Sequence, residues 1–335
     1  MNSPLFARKL GLLLAAGWLA GRLALLGATL PAPEATPAPR TPEQELDAIV
    51  QLDDLVHEEI EQWLAAGETN RTDTASRAAL NLKIKQRREL VNAAYEKYVQ
   101  RHPENVRARI LWGSFLREAG FDREALAQWE AARRLAPTNA VIWNNLGNYY
   151  AEEGPATNAF VHYARAIELA PQESLYQQQM ARCLLVHEEA AATWFGLSSQ
   201  QVILKAQEHL RQACALAPTN FALATELAQT YYLMKLQLTG DRAKDWEAAQ
   251  KLADEALAAW EKAGKLASSD SERQGVLLHQ ARILVSAERW AQARRLLDQV
   301  KEPSLAGLKV ELEARLAARE TNAASSDSPE REFKK

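Results

Sequence analysis

The side chains able to hold a metal or move a proton are few and scattered. The six histidines are His57, His102, His162, His187, His209 and His279, and no two stand four apart, the spacing that sets two imidazoles on one side of a helix. His187-Glu188-Glu189 comes nearest to a ligand cluster and reads as a solvated polar face. Carboxylate neighbours such as Glu152-Glu153 are adjacent, so on a helix they point to different sides. No GxxxxGKS/T, GxGxxG, GxSxG or HExxH motif occurs. The expectation is a chain with no catalytic residue, no cofactor and no metal. Cys183 and Cys214 flank a turn expected near Leu197, which would leave them within roughly 5 Å of each other along a hairpin axis at 1.5 Å per residue. Two readings stand: a disulfide locking the hairpin if the chain is exported, or two buried free thiols between helices.

The elements that must position any site are helices. Ala contributes 61 and Leu 47 of 335 residues, against 14 Gly and 13 Pro. Ala and Leu are strong helix formers, and the strand-favouring residues are comparatively few, so the fold class is all-α. With 47% hydrophobic and 25% charged residues the chain is globular, and a net charge of -3 gives no electrostatic case for nucleic acid.

Residues 10–30 are apolar except for Arg22, and follow Arg8 and Lys9. Such a stretch is a signal peptide or a membrane anchor. About 21 residues at 1.5 Å each would cross a bilayer, while a central Arg costs roughly 2.5–3.5 kcal/mol. Cleavage and retention both stay open. Arg8 and Lys9 should remain inside, which places the rest of the chain in a periplasmic or other extracytoplasmic space, anchored by residues 10–30 or secreted. Residues 31–42 hold five prolines, an extended spacer of roughly 35–40 Å.

From residue 43 the helical periodicity is almost continuous, and it repeats. EAGFDREALAQWEAARRLAPTNAVIW and EEGPATNAFVHYARAIELAPQESLY superpose without gaps, and Pro103, Pro137 and Pro171 stand at intervals of 34. A 34-residue helix–turn–helix period is that of tetratricopeptide repeats. The segment 140–173 resembles that family at each of its signature positions: Trp143, Leu146, Gly147, Tyr150, Ala159, Tyr163, Ala166 and Pro171. The segment 106–139 matches with Trp112, Gly113, Leu116, Ala125, Trp129, Ala132 and Pro137, and departs only at Arg109. Small residues let helices approach, and large ones fill the space between them. Trp112, Trp129 and Trp143 therefore belong to the core. Gly120 and Gly154 end their first helices.

The remaining repeats are less regular. Unit 174–220 carries 13 extra residues around 187–201. Unit 221–264 has a longer turn, LQLTGDRAKD, and its second helix is read through Trp246, Ala249, Ala253 and Ala256. Unit 274–303 carries Leu277, Ala281, Leu284, Trp290, Ala293, Leu297 and Val300. Upstream, 43–105 reads as N-terminal helices containing a degenerate first repeat. Residues 304–320 form a capping helix striped by Leu305, Leu308, Leu312 and Leu316, and 321–335 have too little to bury to be ordered. The resemblance implies a right-handed superhelical solenoid of about five to six hairpins.

It also implies that positions 2, 5, 6, 9, 12 and 13 of each first helix line a concave groove. In unit 106–139 these are Arg107, Ile110, Leu111, Ser114, Arg117 and Glu118; in unit 140–173 they are Val141, Asn144, Asn145, Asn148, Ala151 and Glu152. Asn144 and Asn148 are one turn apart and, as amides, can both donate to and accept from an extended main chain; the plainer reading is two solvated polar residues. Family members that clamp an acidic tail do so with Lys and Arg, and in neither register does this chain keep the cationic pair. Trp194 and Phe195 in the expanded turn form a second candidate contact, or pack that turn together. The function expected is a non-catalytic scaffold that binds a peptide or protein partner in the groove. The alternative is an accessory assembly subunit of a cell-envelope enzyme or of a secretion, pilus or maturation complex.

Overall fold

The computed structural model describes residues 40–68 and 74–326. The apolar leader, the spacer up to residue 39 and the tail from 327 lie outside the described residues. The chain divides after Gln44. Of the first unit only 40–44 are described, where Thr41 and Gln44 bond reciprocally through side chain and backbone, a capping box that starts a helix.

Every regular element among the described residues is helical. The helices are α1 (Pro42–Glu68), α2 (Thr74–Arg101), α3 (Val106–Glu118), α4 (Asp122–Leu135), α5 (Ala140–Glu153), α6 (Ala156–Leu169) and α7 (Ser174–Val186). They continue as α8 (Glu188–Phe195), α9 (Ser199–Leu216), α10 (Phe221–Gln229), α11 (Arg242–Leu266), α12 (Asp270–Ser286), α13 (Trp290–Leu297) and α14 (Ala306–Ser326). Hairpins form from α3 with α4, α5 with α6, α7 with α9, α10 with α11 and α12 with α13, and each packs on the next. The structure is the all-α solenoid of helix hairpins expected from the repeat.

The joints between hairpins are written in the sequence. Asn105, Asn139 and Asn220 each follow a Pro-x pair, cap the next first helix and accept backbone N–H bonds at 2.9, 3.1 and 3.1 Å from Ala108, Val141 and Leu223. Proline cannot continue the preceding helix and the asparagine begins the following one, so the reversal stays short. Gly120 ends α3 at φ +85°, a left-handed turn that suits glycine. Gly154 is in extended backbone, and there the limit is space: a Cβ would stand 2.6 Å from Tyr150 Cδ1.

The close approach inside the two regular hairpins is set by glycine under a ring. A Cβ on Gly113 would lie 2.7 Å from Trp129 Cδ1, and one on Gly147 would lie 2.7 Å from Tyr163 Cδ1. Ala125, Ala132, Ala159 and Ala166 are fully buried on the facing helices. The core is segmented. One cluster runs from Leu46 to Leu146, a second from Ala159 to Leu210, a third is centred on Ala256 and Trp260, and a fourth joins α12 and α13 to Leu312 and Leu316 of α14.

Three expectations shift. The second helix of unit 221–264 is seated seven residues later than its spacing suggested. Trp246 is 49% exposed, whereas Ala256, Trp260 and Ala263 are buried. Alanines recur at seven-residue steps through α11, so spacing alone admits both registers; only the later one sets a large residue between the two small ones. The extra residues of unit 174–220 form a helix of their own, α8, with Ala191 buried and Gly196 closing it at φ +65°. The capping helix continues past residue 320 to Ser326.

Candidate functional site

The first helices α1, α3, α5, α7, α10 and α12 lie side by side, and polar contacts join them. Arg107 of α3 reaches Asp47 of α1 at 2.8 Å. Arg117 of α3 pairs with Glu152 of α5 and, at 3.6 Å, with Asp122. His187, at the end of α7, places Nε2 2.8 Å from the Ala151 carbonyl oxygen of α5. Arg182 of α7 forks onto both carboxylate oxygens of Glu226 in α10, at 2.7 and 2.8 Å, and Gln178 donates to the same carboxylate at 2.6 Å. Bonding to Glu226 raises the Arg182 pKa. Tyr232, in the short turn after α10, sets its hydroxyl 3.0 Å from Nδ1 of His279 in α12.

These contacts change the reading of the candidate groove residues. Arg107, Arg117 and Glu152 stand on the first-helix face, and all three are engaged in joining successive hairpins. Ile110 packs against the first core cluster. Ser114 and Asn145 are partly exposed. Asn144 is only 6% exposed, and its Oδ1 is buried with no hydrogen-bond partner. Asn148 is not equivalent to it, because its Oδ1 accepts the Tyr163 hydroxyl at 2.8 Å. Burial pushes the Tyr163 phenol up, so it remains a donor at neutral pH. Asn148 therefore has its amide N–H groups left for another acceptor. Val141 and Leu175, at the same position of successive repeats, are 44% and 37% exposed.

Trp194 and Phe195 part company. Phe195 meets Phe160 with ring centroids 5.4 Å apart and lies under the Lys205 ammonium at 5.3 Å, so it packs the expanded turn. Trp194 is 53% exposed. Both cysteines are free thiols. Cys183 is buried within electrostatic reach of Tyr163 in α6, while Cys214 is within reach of Glu226 in α10 and Lys262 in α11. Gln177 of α7 stands opposite His209 of α9, with Oε1 2.7 Å from Nδ1, so the two cysteines are not level as the spacing suggested but roughly 15 Å apart along the hairpin, facing its two neighbours. Burial pushes the Cys183 thiol up to about 12.

Sequence reasoning did not single out Tyr232, His279 and Arg282. Counting from Ala281 as the small eighth residue would have found His279 and Arg282 at groove positions 6 and 9. Tyr232 becomes legible in the same way, at position 12 of the hairpin counted from Ala228.

Among the described residues no helix is long and apolar enough to cross a membrane. No protein-family model matches the sequence, and no curated protein matches it either. Among solved structures, PilF of Pseudomonas aeruginosa is similar at 14% identity, covering 80% of this chain and 99% of that one, with a TM-score of 0.47. YrrB, described as a TPR protein with an unusual peptide-binding site, is similar at 15% identity over 68% of this chain and 98% of that one, TM-score 0.47. MamA is similar at 18% identity over 54% of this chain and 89% of that one, TM-score 0.41. At these values the fold stands on what the chain itself displays: a stack of tetratricopeptide-type helix hairpins, spaced at 34 residues where regular and packed small residue against large.

Proposed function

We propose that this chain is a non-catalytic scaffold, exported or held at a membrane by residues 10–30, which binds an extended segment of a partner protein along its first-helix face. The observation that carries the reading is the junction of α5 and α7. Among the described residues no ion pair joins these two helices, whereas α1 to α3, α3 to α5 and α7 to α10 are each bridged. Here the face offers Asn145, Asn148 and Gln179 between exposed Val141 and Leu175. Amides supply donors and acceptors for a main chain without charge, and the two aliphatic side chains supply apolar contact. The segment recognised here is accordingly uncharged. The composition of residues 10–30 supports the membrane side of the proposal.

Photo-crosslinkers at Asn145 and Gln179, in the cell of origin, test the site, with one at exposed Val161 of α6 as control. The expected result is one partner captured from 145 and 179, lost on Leu175→Asp and not captured from 161. Capture from 161 alone would overturn the assignment. Protease accessibility of residues 43–335 in intact and permeabilised cells tests the location; digestion only after permeabilisation is expected.

A further inference from the structure

The face that joins the first helices carries four arginines, and three of them are spent on the chain's own carboxylates: Arg107 on Asp47, Arg117 on Glu152, Arg182 on Glu226. The fourth, Arg282 of α12, has no carboxylate partner among the described residues. It is exposed, with its guanidinium carbon 5.9 Å from the centre of the Tyr232 ring. That ring is held in place. Its hydroxyl meets His279 Nδ1 at 3.0 Å, and the His279 ring in turn stacks on buried Trp260 at 4.0 Å with 6° between the planes. Burial pushes the Tyr232 phenol up and the His279 imidazole down to about 4, and the neighbouring Arg282 charge adds to the second and opposes the first.

From this we infer that the Tyr232–Arg282 shelf is an anion subsite of the binding face, taking one carboxylate of the segment whose uncharged part lies across α5 and α7. The inference rests on the first-helix face being the binding face. An aromatic shelf restrains the guanidinium so that less side-chain freedom is lost when its fork closes on a carboxylate. The site differs from the acid clamp of the repeat family, whose cationic pair this chain lacks. It sets one arginine at position 9 of the last hairpin, where Arg182 stands paired two first helices earlier. At roughly 10 Å between neighbouring helices, the shelf lies about 20 Å beyond α7, or about six extended residues at ~3.3 Å each. The bound segment is thus of mixed polarity in a defined order: an uncharged apolar stretch, then an acid about six residues away. The acid is either an Asp or Glu side chain or a chain-terminal carboxylate.

Random 12-residue peptides on phage, selected on the full-length chain and on R282Q, R282E and L175D, test this. Thermal denaturation first establishes that each variant is folded. The expected result is that the full-length chain enriches apolar peptides with Asp or Glu at one fixed offset. R282Q should lose that preference and R282E should replace it with Lys or Arg at the same offset. A selected peptide resynthesised with Gln for Glu should bind about tenfold to a hundredfold more weakly to the unaltered chain and equally to R282Q. The same peptide as acid and as amide separates a terminal from a side-chain carboxylate. Peptides that depend on Leu175 but show no acid preference, or an acid preference unchanged in R282E, would overturn the subsite and leave the binding face standing. Peptides indifferent to L175D, or no enrichment over blank support, would overturn both.

Discussion

In α3/α4 and α5/α6 the two helices meet where a glycine lies under an aromatic ring, Gly113 with Trp129 and Gly147 with Tyr163. In the later hairpins the equivalent positions hold buried Ala181, Ala228 and Ala281, and Leu210, Trp260 and Leu297 are buried on the second helices. The glycine-on-ring hairpins keep the 34-residue period. The alanine hairpins include the two that have grown, one by α8 and the other by the long turn before the 25-residue α11. What holds a hairpin is the alternation of small and large residues, and the turn opposite the joint is free to lengthen. Both expanded turns project from the same edge and touch: Gln200 at the start of α9 donates to Met234 Sδ at 3.1 Å and accepts from the Lys235 backbone N–H at 3.2 Å.

The largest test of this contrast is Trp129→Ala, which empties the space above Gly113 and is expected to cost about 3–5 kcal/mol in urea denaturation. Gly147→Ala should cost about 1–3 kcal/mol, because the new methyl group meets the Tyr163 ring; Ala281→Gly in the later stretch should cost only about 1 kcal/mol, a propensity effect. If the two changes cost the same, the distinction between the stretches fails.

Acid should act chiefly on the later stretch. Burial pushes His209 and His279 down to about 4, with neighbouring Lys205 and Arg282 adding to it. A histidine depressed in the folded state and ordinary, near 6.5, in the unfolded one binds its proton first in the unfolded chain. Stability is then full above about pH 7 and falls as the pH drops from about 6.5 to 4. Calorimetry at pH 7.5 and 5.0 should show a fall on the order of five degrees, and H209Q should reduce it.

Glu226→Ala removes the acceptor of both Arg182 and Gln178 and should cost about 1 kcal/mol. Asp47→Ala, whose pair with Arg107 is more than half exposed on both sides, should be barely measurable and vanish in salt. The smallest effect should be that of Trp246→Ala, within about 0.5 kcal/mol, since the ring is half exposed. A loss comparable to that of Trp129→Ala would restore the register that the alanine spacing first suggested.

Period and composition alone made the hairpins legible, because small and large residues at fixed steps have few other uses. The seating of α11 was not legible. Its Ala249, Ala253, Ala256 and Ala263 are interchangeable until the neighbouring helices choose among them. Of the candidate groove, repeat position put Asn144, Asn145 and Asn148 together on α5, but it could not tell that Tyr163 would claim one amide oxygen and leave another buried and unclaimed. Nor did Arg107, Arg117 and Glu152 announce that they would spend their charge on neighbours, since each partner is 30 to 60 residues away or sits on a different helix.

The segmented core has a consequence for how the molecule comes apart. The first cluster spans α1 to α5 and each later one little more than a hairpin and its neighbour's face, so the array resembles a row of coupled links whose stability is a sum of local terms and joints. Denaturation should then proceed in steps that open joints such as that of α5 and α7, and no single midpoint will describe the whole chain. A segment lying across that joint would act as a splint, converting stepwise unfolding into a more cooperative transition.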